Sequence, residues 1–386
     1  HWSEDVALAE QLGLHAYRFS IAWPRIFPEG RGRINPKGMA FYDRLVDALR
    51  EAGIKPFVTL YHWDLPEALQ RRGGWENRDT ARYFADYARK MITAFGDRVS
   101  HWFTINEPAT VLAQGYLAGA HAPGKRNPLA ALRAGHHFLL GHGLAVRAAR
   151  TVTRRVKIGP CLNFYPLYRM RSPRRMLHRG LLHQLLNEWF ADPIWLGRYP
   201  PWFRRLRGCL GRTVRDEDAG IIREPVDFLG LNYYTRQLIN RLGWPVRRPA
   251  TNPWRFSDMG WEVFPRGLAD TLMWVKDRYG DPPVFIGESG IACPDVLAGD
   301  HVEDDQRIEF LRRHLAALHR AMRAGADVRG YFVWSLLDNL EWAEGFRRRF
   351  GLIYVDFATQ ARRVKRSGAW YARLCRTRVL PKAASA

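Results

Sequence analysis

No stretch of this chain approaches about 18 uninterrupted apolar residues, and no signal peptide opens it, which excludes a membrane-spanning helix from the sequence reading. Cysteine is scarce. The four residues Cys161, Cys209, Cys293 and Cys375 lie far apart with no C-x-x-C pair, so neither a disulfide framework nor a zinc motif is in view. A reducing compartment, the cytoplasm, is the expectation. Lysine is scarce too: eight of the 60 basic residues, so the net charge of +22 is carried by arginine. The arginines are scattered, with short clusters at 204–207, 312–313 and 347–349 and no basic tail, RNA-binding signature or helix-turn-helix beside them. That pattern predicts a solvated basic surface and no specific nucleic-acid partner. Low-complexity segments and linkers are absent, which predicts a single domain over residues 1–386. Also missing is an initiator methionine. His1-Trp2-Ser3-Glu4-Asp5 opens in a helix-like pattern and reads as cut from a longer chain.

What is present is regular alternation. Short β-rich runs fall at His15–Trp23, Lys55–Tyr61, Val99–Ile105, Val156–Asn163, Val226–Tyr233, Pro283–Gly287 and Gly330–Ser335. Between them, Gly38–Glu51, Asp79–Phe95, Leu129–Arg150, Arg266–Tyr279 and Asp304–Arg323 carry apolar residues at helical spacing. A parallel neighbour needs a crossover, so strand-helix alternation implies a parallel sheet. The strand bodies are apolar throughout, as in Pro56-Phe57-Val58-Thr59-Leu60, which fits burial on both faces and points to an α/β fold closed as a (β/α) barrel. The irregular stretches near 120–130, 200–225 and 235–262 are long for loops, and long loops in such barrels rim the active site.

Chemically useful side chains recur near the C-terminal ends of these strands: Arg18, His62, Asn106 with Glu107, Asn163, Tyr234, Glu288 and Trp334. Barrel enzymes build their sites there. A lone glutamate at such a place is more often solvated or capping, and a lone histidine or tryptophan is more often core. Two glutamates on strands of one barrel are the pair that glycoside hydrolysis needs, one protonated to release the leaving oxygen and one ionised to attack.

The sequence resembles glycoside hydrolase family 1, the β-glucosidase family, over essentially its whole length. The likeness rests on Tyr17-Arg18-Phe19-Ser20-Ile21-Ala22-Trp23-Pro24-Arg25-Ile26, Tyr61-His62-Trp63-Asp64-Leu65-Pro66 and Thr104-Ile105-Asn106-Glu107-Pro108. Further on come Asp227-Phe228-Leu229-Gly230-Leu231-Asn232-Tyr233-Tyr234, Trp334-Ser335-Leu336-Leu337-Asp338-Asn339 and Glu341-Trp342-Ala343-Glu344-Gly345-Phe346, in the family's order and spacing. The resemblance implies a (β/α)8 TIM barrel and a retaining, exo-acting β-glycosidase without metal or cofactor. Its substrate would be a small β-glucoside, β-galactoside or β-fucoside. Glu107 would be the acid/base and Glu288 the nucleophile, their carboxyl groups about 5–5.5 Å apart as retention requires. Arg18 would keep Glu288 ionised, Asn106 would bind the sugar 2-hydroxyl, and Tyr234 would orient the nucleophile. His62, Trp63, Asn232, Trp334, Glu341, Trp342 and Phe350 would form the sugar site. A non-catalytic sugar-binding relative of the same barrel is the alternative.

Two departures stand out. The family's nucleophile motif reads Thr-Glu-Asn-Gly where this chain has Gly287-Glu288-Ser289-Gly290. The family's first strand should precede the helix near Ser3, so seven barrel strands are expected, with self-association through the open seam.

Overall fold

The computed structural model describes residues 1–170, 172–246 and 254–380. They fold as two compact units. The first takes His1–Val6, Ala16–Asn163 and Gln184–Leu231; the second takes Ala7–His15, Phe164–His183 and Asn232–Ala386.

In the first unit the strands are β1 (Ala16–Ser20), β2 (Lys55–Tyr61), β3 (His101–Asn106), β4 (Lys157–Asn163) and β5 (Leu229–Asn232), neighbours in that order. The pairing is parallel, with Ala16 opposite Lys55, Phe57 opposite His101 and His101 opposite Lys157. Strand bodies are sealed on both faces, as the apolar runs require: Trp102, Phe103, Thr104, Ile105 and Asn106 of β3 are all buried. Asparagine caps start the crossover helices. Asn35 accepts from the Lys37 amide, with Pro36 as the first residue of α1 (Pro36–Glu51). Asn77 accepts from Asp79 to open α2 (Arg78–Phe95), and Asn127 accepts from Leu129 and Ala130 to open α3 (Pro128–Val152). Each cap satisfies amides that the first helical turn leaves without partners, and proline has no amide to satisfy.

Six of the seven strand runs shift at their ends, and two shorten most. The run His15–Trp23 is strand only to Ser20, because Trp23–Ile26 turns into a short helix with Pro24 in its first turn. The run Val226–Tyr233 shortens to β5; Asp227 uses its carboxylate and its amide on the backbone of Ile158, so the approach to the strand is tied by a side chain. Behind the strand ends lies an aromatic cluster. Tyr87 of α2 stacks on Trp23 at 5.3 Å, and Trp75 stacks on Phe138 at 4.2 Å. The Tyr87 hydroxyl lies 2.8 Å from the Ile21 carbonyl oxygen and 3.1 Å from that of Leu60, pinning the helix to the exits of β1 and β2.

The second unit carries β6 (Val284–Ser289) and β7 (Val328–Val333), parallel neighbours, with α4 (Pro265–Tyr279), α5 (Asp305–Arg323) and α6 (Arg366–Thr377). The described residues thus hold seven parallel strands, the number expected. Two of the stretches read as loops have structure of their own. In 235–262, Gln237–Ile239 and Pro245–Val246 join Leu167–Arg169 and Ser172–Leu177 in a small sheet; in 200–225, within the first unit, Pro201–Leu206 and Asp218–Ile222 are short helices. These segments are too short for a period to show in sequence. Residues 247–253 of the 235–262 stretch lie outside the described residues.

Ile291, Cys293, Phe310, Leu311 and Leu352 form an apolar cluster in this unit. Charges are buried there as well. Arg307 pairs with Asp295 at 2.8 Å and with Asp304, and Lys365 reaches Asp295 at 2.5 Å and Asp338 at 2.7 Å. Arg349 closes the chain of pairs on Asp338 at 2.6 Å. Mutual attraction offsets the desolvation of a buried ion pair only with good geometry and further hydrogen bonds to its remaining lone pairs and protons. Asp338 meets that condition by accepting from Lys365, Arg349 and the Gly351 amide.

Candidate active site

In the first unit, the ends of β1, β2 and β3 bring Arg18, His62, Trp63, Asn106 and Glu107 together. The Arg18 guanidinium donates to Asn106 Oδ1 at 2.7 Å and lies over the Phe103 ring at 4.8 Å. A guanidinium only donates, so the atom facing it must be the amide oxygen, and the orientation of Asn106 is fixed. Its Nδ2 then faces His62 Nε2 at 3.2 Å. For that contact Nε2 must offer its lone pair, which places the imidazole proton on Nδ1. Trp63 donates its indole N–H to the Asn106 carbonyl oxygen at 3.0 Å, joining the end of β2 to the end of β3.

Glu107 is 6% exposed and sits one residue past β3. Its amide donates to the Cys161 carbonyl at 2.8 Å, so the ladder to β4 continues through it. Its backbone is left-handed, φ 45° and ψ 55°, immediately before Pro108. Non-glycine residues at positive φ number six among the described residues, and three of them, Trp63, Glu107 and Trp342, are site residues expected from sequence. Strain of this kind concentrates where a side chain must be aimed. The carboxylate accepts from the Thr110 hydroxyl at 3.0 Å, and Thr110 accepts from Asn163 Nδ2 at 3.1 Å. Thr110 is a neighbour that sequence reasoning missed; its only signal is a position one helical turn beyond the glutamate.

In the second unit, Tyr234 and Glu288 are joined by a phenol-to-carboxylate hydrogen bond of 2.8 Å, to Oε2. Glu288, at the exit of β6, is 4% exposed, and its carbonyl accepts from the Tyr233 amide at 3.0 Å. Gly290 cannot change: a Cβ there would lie 1.8 Å from the Trp334 carbonyl oxygen. That close approach accounts for the glycine in Glu288-Ser289-Gly290. The Tyr234 ring packs at 5.3 Å on Trp261, which sequence reasoning did not single out, and at 6.3 Å on Phe350. Burial lifts the Glu341 carboxyl to about 7, helped by the charge of Glu288 and opposed by a hydrogen bond from Trp334. Glu288, Trp334 and Glu341 are therefore one electrostatic group. Trp342 opens a short 3-10 turn after Glu341, and Asn232 is fully buried at the end of β5.

Among the described residues no group of histidine, cysteine and carboxylate side chains has the geometry of a metal site, and no helix is long and apolar enough to cross a membrane.

The comparisons with known proteins agree with one another. The profile of glycosyl hydrolase family 1 matches residues 1–379. Beta-glucosidase A of Thermotoga maritima is 45% identical over 381 residues, covering 96% of this chain and 84% of its own. A bifunctional beta-D-glucosidase/beta-D-fucosidase of Bifidobacterium breve is 42% identical, over 96% of this chain and 86% of its own. The solved structure of the T. maritima beta-glucosidase with noeuromycin superposes with a TM-score of 0.91 at 43% identity, covering 98% of this chain and 87% of that one. The chain therefore belongs to glycosyl hydrolase family 1, and it is an O-glycosyl hydrolase built on the (β/α)8 barrel to which its seven parallel strands belong.

Proposed function

We propose that this hydrolase is a retaining, exo-acting β-glycosidase of small β-glucosides, β-galactosides and β-fucosides, with Glu107 as acid/base and Glu288 as nucleophile. The observation that carries the reading is the hydrogen bond from Tyr234 to Glu288 Oε2 at 2.8 Å. It fixes the orientation of the carboxylate that is to attack. Glu107 gives its proton to the glycosidic oxygen as Glu288 forms a bond to the anomeric carbon and the leaving alcohol departs. Glu107, now ionised, takes a proton from water; that water displaces Glu288 from the anomeric carbon, and the acid is restored. Arg18 and His62 fix the Asn106 amide, which would then donate to the sugar 2-hydroxyl in a geometry set before substrate arrives. Names of similar proteins support glucoside and fucoside as substrates: beta-glucosidase in one case, beta-D-glucosidase/beta-D-fucosidase in another.

Stereochemistry tests the reading. Hydrolysis of a nitrophenyl β-glucoside followed by proton NMR should release the β-anomer of glucose first, with the α-anomer appearing only by mutarotation. Release of the α-anomer first would mean inversion and would end the double-displacement proposal.

A further inference from the structure

Six of the arginines that look scattered in the sequence converge at one place in the second unit. A cavity of about 480 Å³ is lined by Arg236, Arg255, Arg266, Arg312, Arg313 and Arg320, with Glu262 the only acidic residue in its lining. Three carboxylates reach these six guanidiniums. Glu262 takes Arg236 in a two-pronged pair at 2.9 Å, Glu309 takes Arg312 at 2.8 Å and lies 4.0 Å from Arg313, and Asp270 takes Arg266 at 3.2 Å. Among the described residues no carboxylate pairs with Arg255 or Arg320. The cavity is left with an excess of positive charge that its own walls do not neutralise.

Arg236 is the second observation. It is only 7% exposed, stacks its guanidinium on the Phe264 ring at 3.7 Å, and has an Nη1 that is buried without a hydrogen-bond partner. Arginine cannot shed its proton to escape such a position, so a buried donor without an acceptor is costly. An oxyanion in the cavity would supply that acceptor.

We propose that this cavity binds a small polyanion of the phosphate class. Guanidinium forks match the oxygens of a phosphate in paired hydrogen bonds, and several around one cavity favour more than one phosphate group. The concave shape argues for a small ligand and against a strand of nucleic acid, which needs a long groove and exposed rings for its bases. The one aromatic ring in the lining, Phe264, is already covered by Arg236.

Tripolyphosphate is the probe. Calorimetric titration of the full chain in low salt should show one saturable site that weakens as salt is raised. The double variant Arg255→Gln/Arg320→Gln should bind at least about tenfold more weakly, since it removes the two unpaired charges. Arg154→Gln/Arg155→Gln, an exposed pair in the first unit that lowers net charge equally, should bind as the wild type does. Both variants should keep wild-type melting temperature and glucoside hydrolysis, so the result is independent of the catalytic proposal. Absence of saturable binding, or equal weakening in the two doubles, would overturn the site. A short oligonucleotide binding more tightly than tripolyphosphate, and lost with Arg255 and Arg320, would overturn the small-ligand assignment.

Discussion

The phenol of Tyr234 is held 2.8 Å from Glu288 Oε2, at the exit of a strand that is buried on both sides of the carboxylate. A hydrogen bond to a charged acceptor contributes about 1.5–3 kcal/mol. Tyr234→Phe should therefore lower kcat by about 10- to 100-fold while leaving the melting temperature nearly unchanged. A rate within about twofold of wild type would mean that the phenol does not position the nucleophile.

Thr110 gives a separate handle on Glu107, because its hydroxyl donates to that carboxylate and accepts from Asn163. Thr110→Val should slow alkyl glucosides, whose departure needs a proton, by about tenfold, and dinitrophenyl glucosides, which leave unaided, by less than about twofold. Equal slowing of both classes would place Thr110 outside acid catalysis.

Lys365 is fully buried between Asp295 and Asp338. Replacing it by methionine leaves two buried carboxylates short of a cation, and breaking a buried pair costs about 3–5 kcal/mol. Urea unfolding of Lys365→Met should show a loss in that range. Asp338 also holds the Gly351 amide, so the segment bearing Glu341 and Phe350 should loosen and KM should rise. A loss under about 1 kcal/mol would show that the network does not support this segment.

Acid should destabilise the fold through its buried histidines. His142, fully buried beside Thr104, is pushed down to about 3 by burial, and His137 to about 4. A depressed pKa means the unfolded chain takes up a proton first. The stabilisation is complete above pH 6.5 and is lost as pH falls from there toward 3–4. One such histidine accounts for about 2 kcal/mol between roughly pH 6.5 and 5. His142→Gln should lose correspondingly less stability than wild type over that interval, measured by urea unfolding at each pH. Equal losses would mean that His142 is protonated in the folded state.

The parallel strands were legible in the sequence because their bodies are apolar on both faces, and the helices because their periods are long. Glu107 and Glu288 could be singled out as candidates because each stands at the end of an apolar strand. Thr110 and Trp261 were not, since a threonine one turn past a glutamate and a tryptophan in a long loop look like any others. Lys365 gave no sign of its partners 27 and 70 residues earlier in the chain. The arginines of the cavity read as a solvated surface for the same reason: residues from 236 to 320 converge only when the second unit folds.

Azide rescue tests the assignment of the two glutamates most directly. Glu288→Ala should be inactive on a nitrophenyl β-glucoside and regain turnover in azide with the α-glycosyl azide as product, because azide takes the nucleophile's place on that face. Glu107→Ala with a dinitrophenyl β-glucoside should give the β-glycosyl azide, because azide there attacks the glycosyl-enzyme. Loss of activity in both variants with no azide product from either, in proteins that melt as the wild type does, would contradict the roles assigned to Glu107 and Glu288.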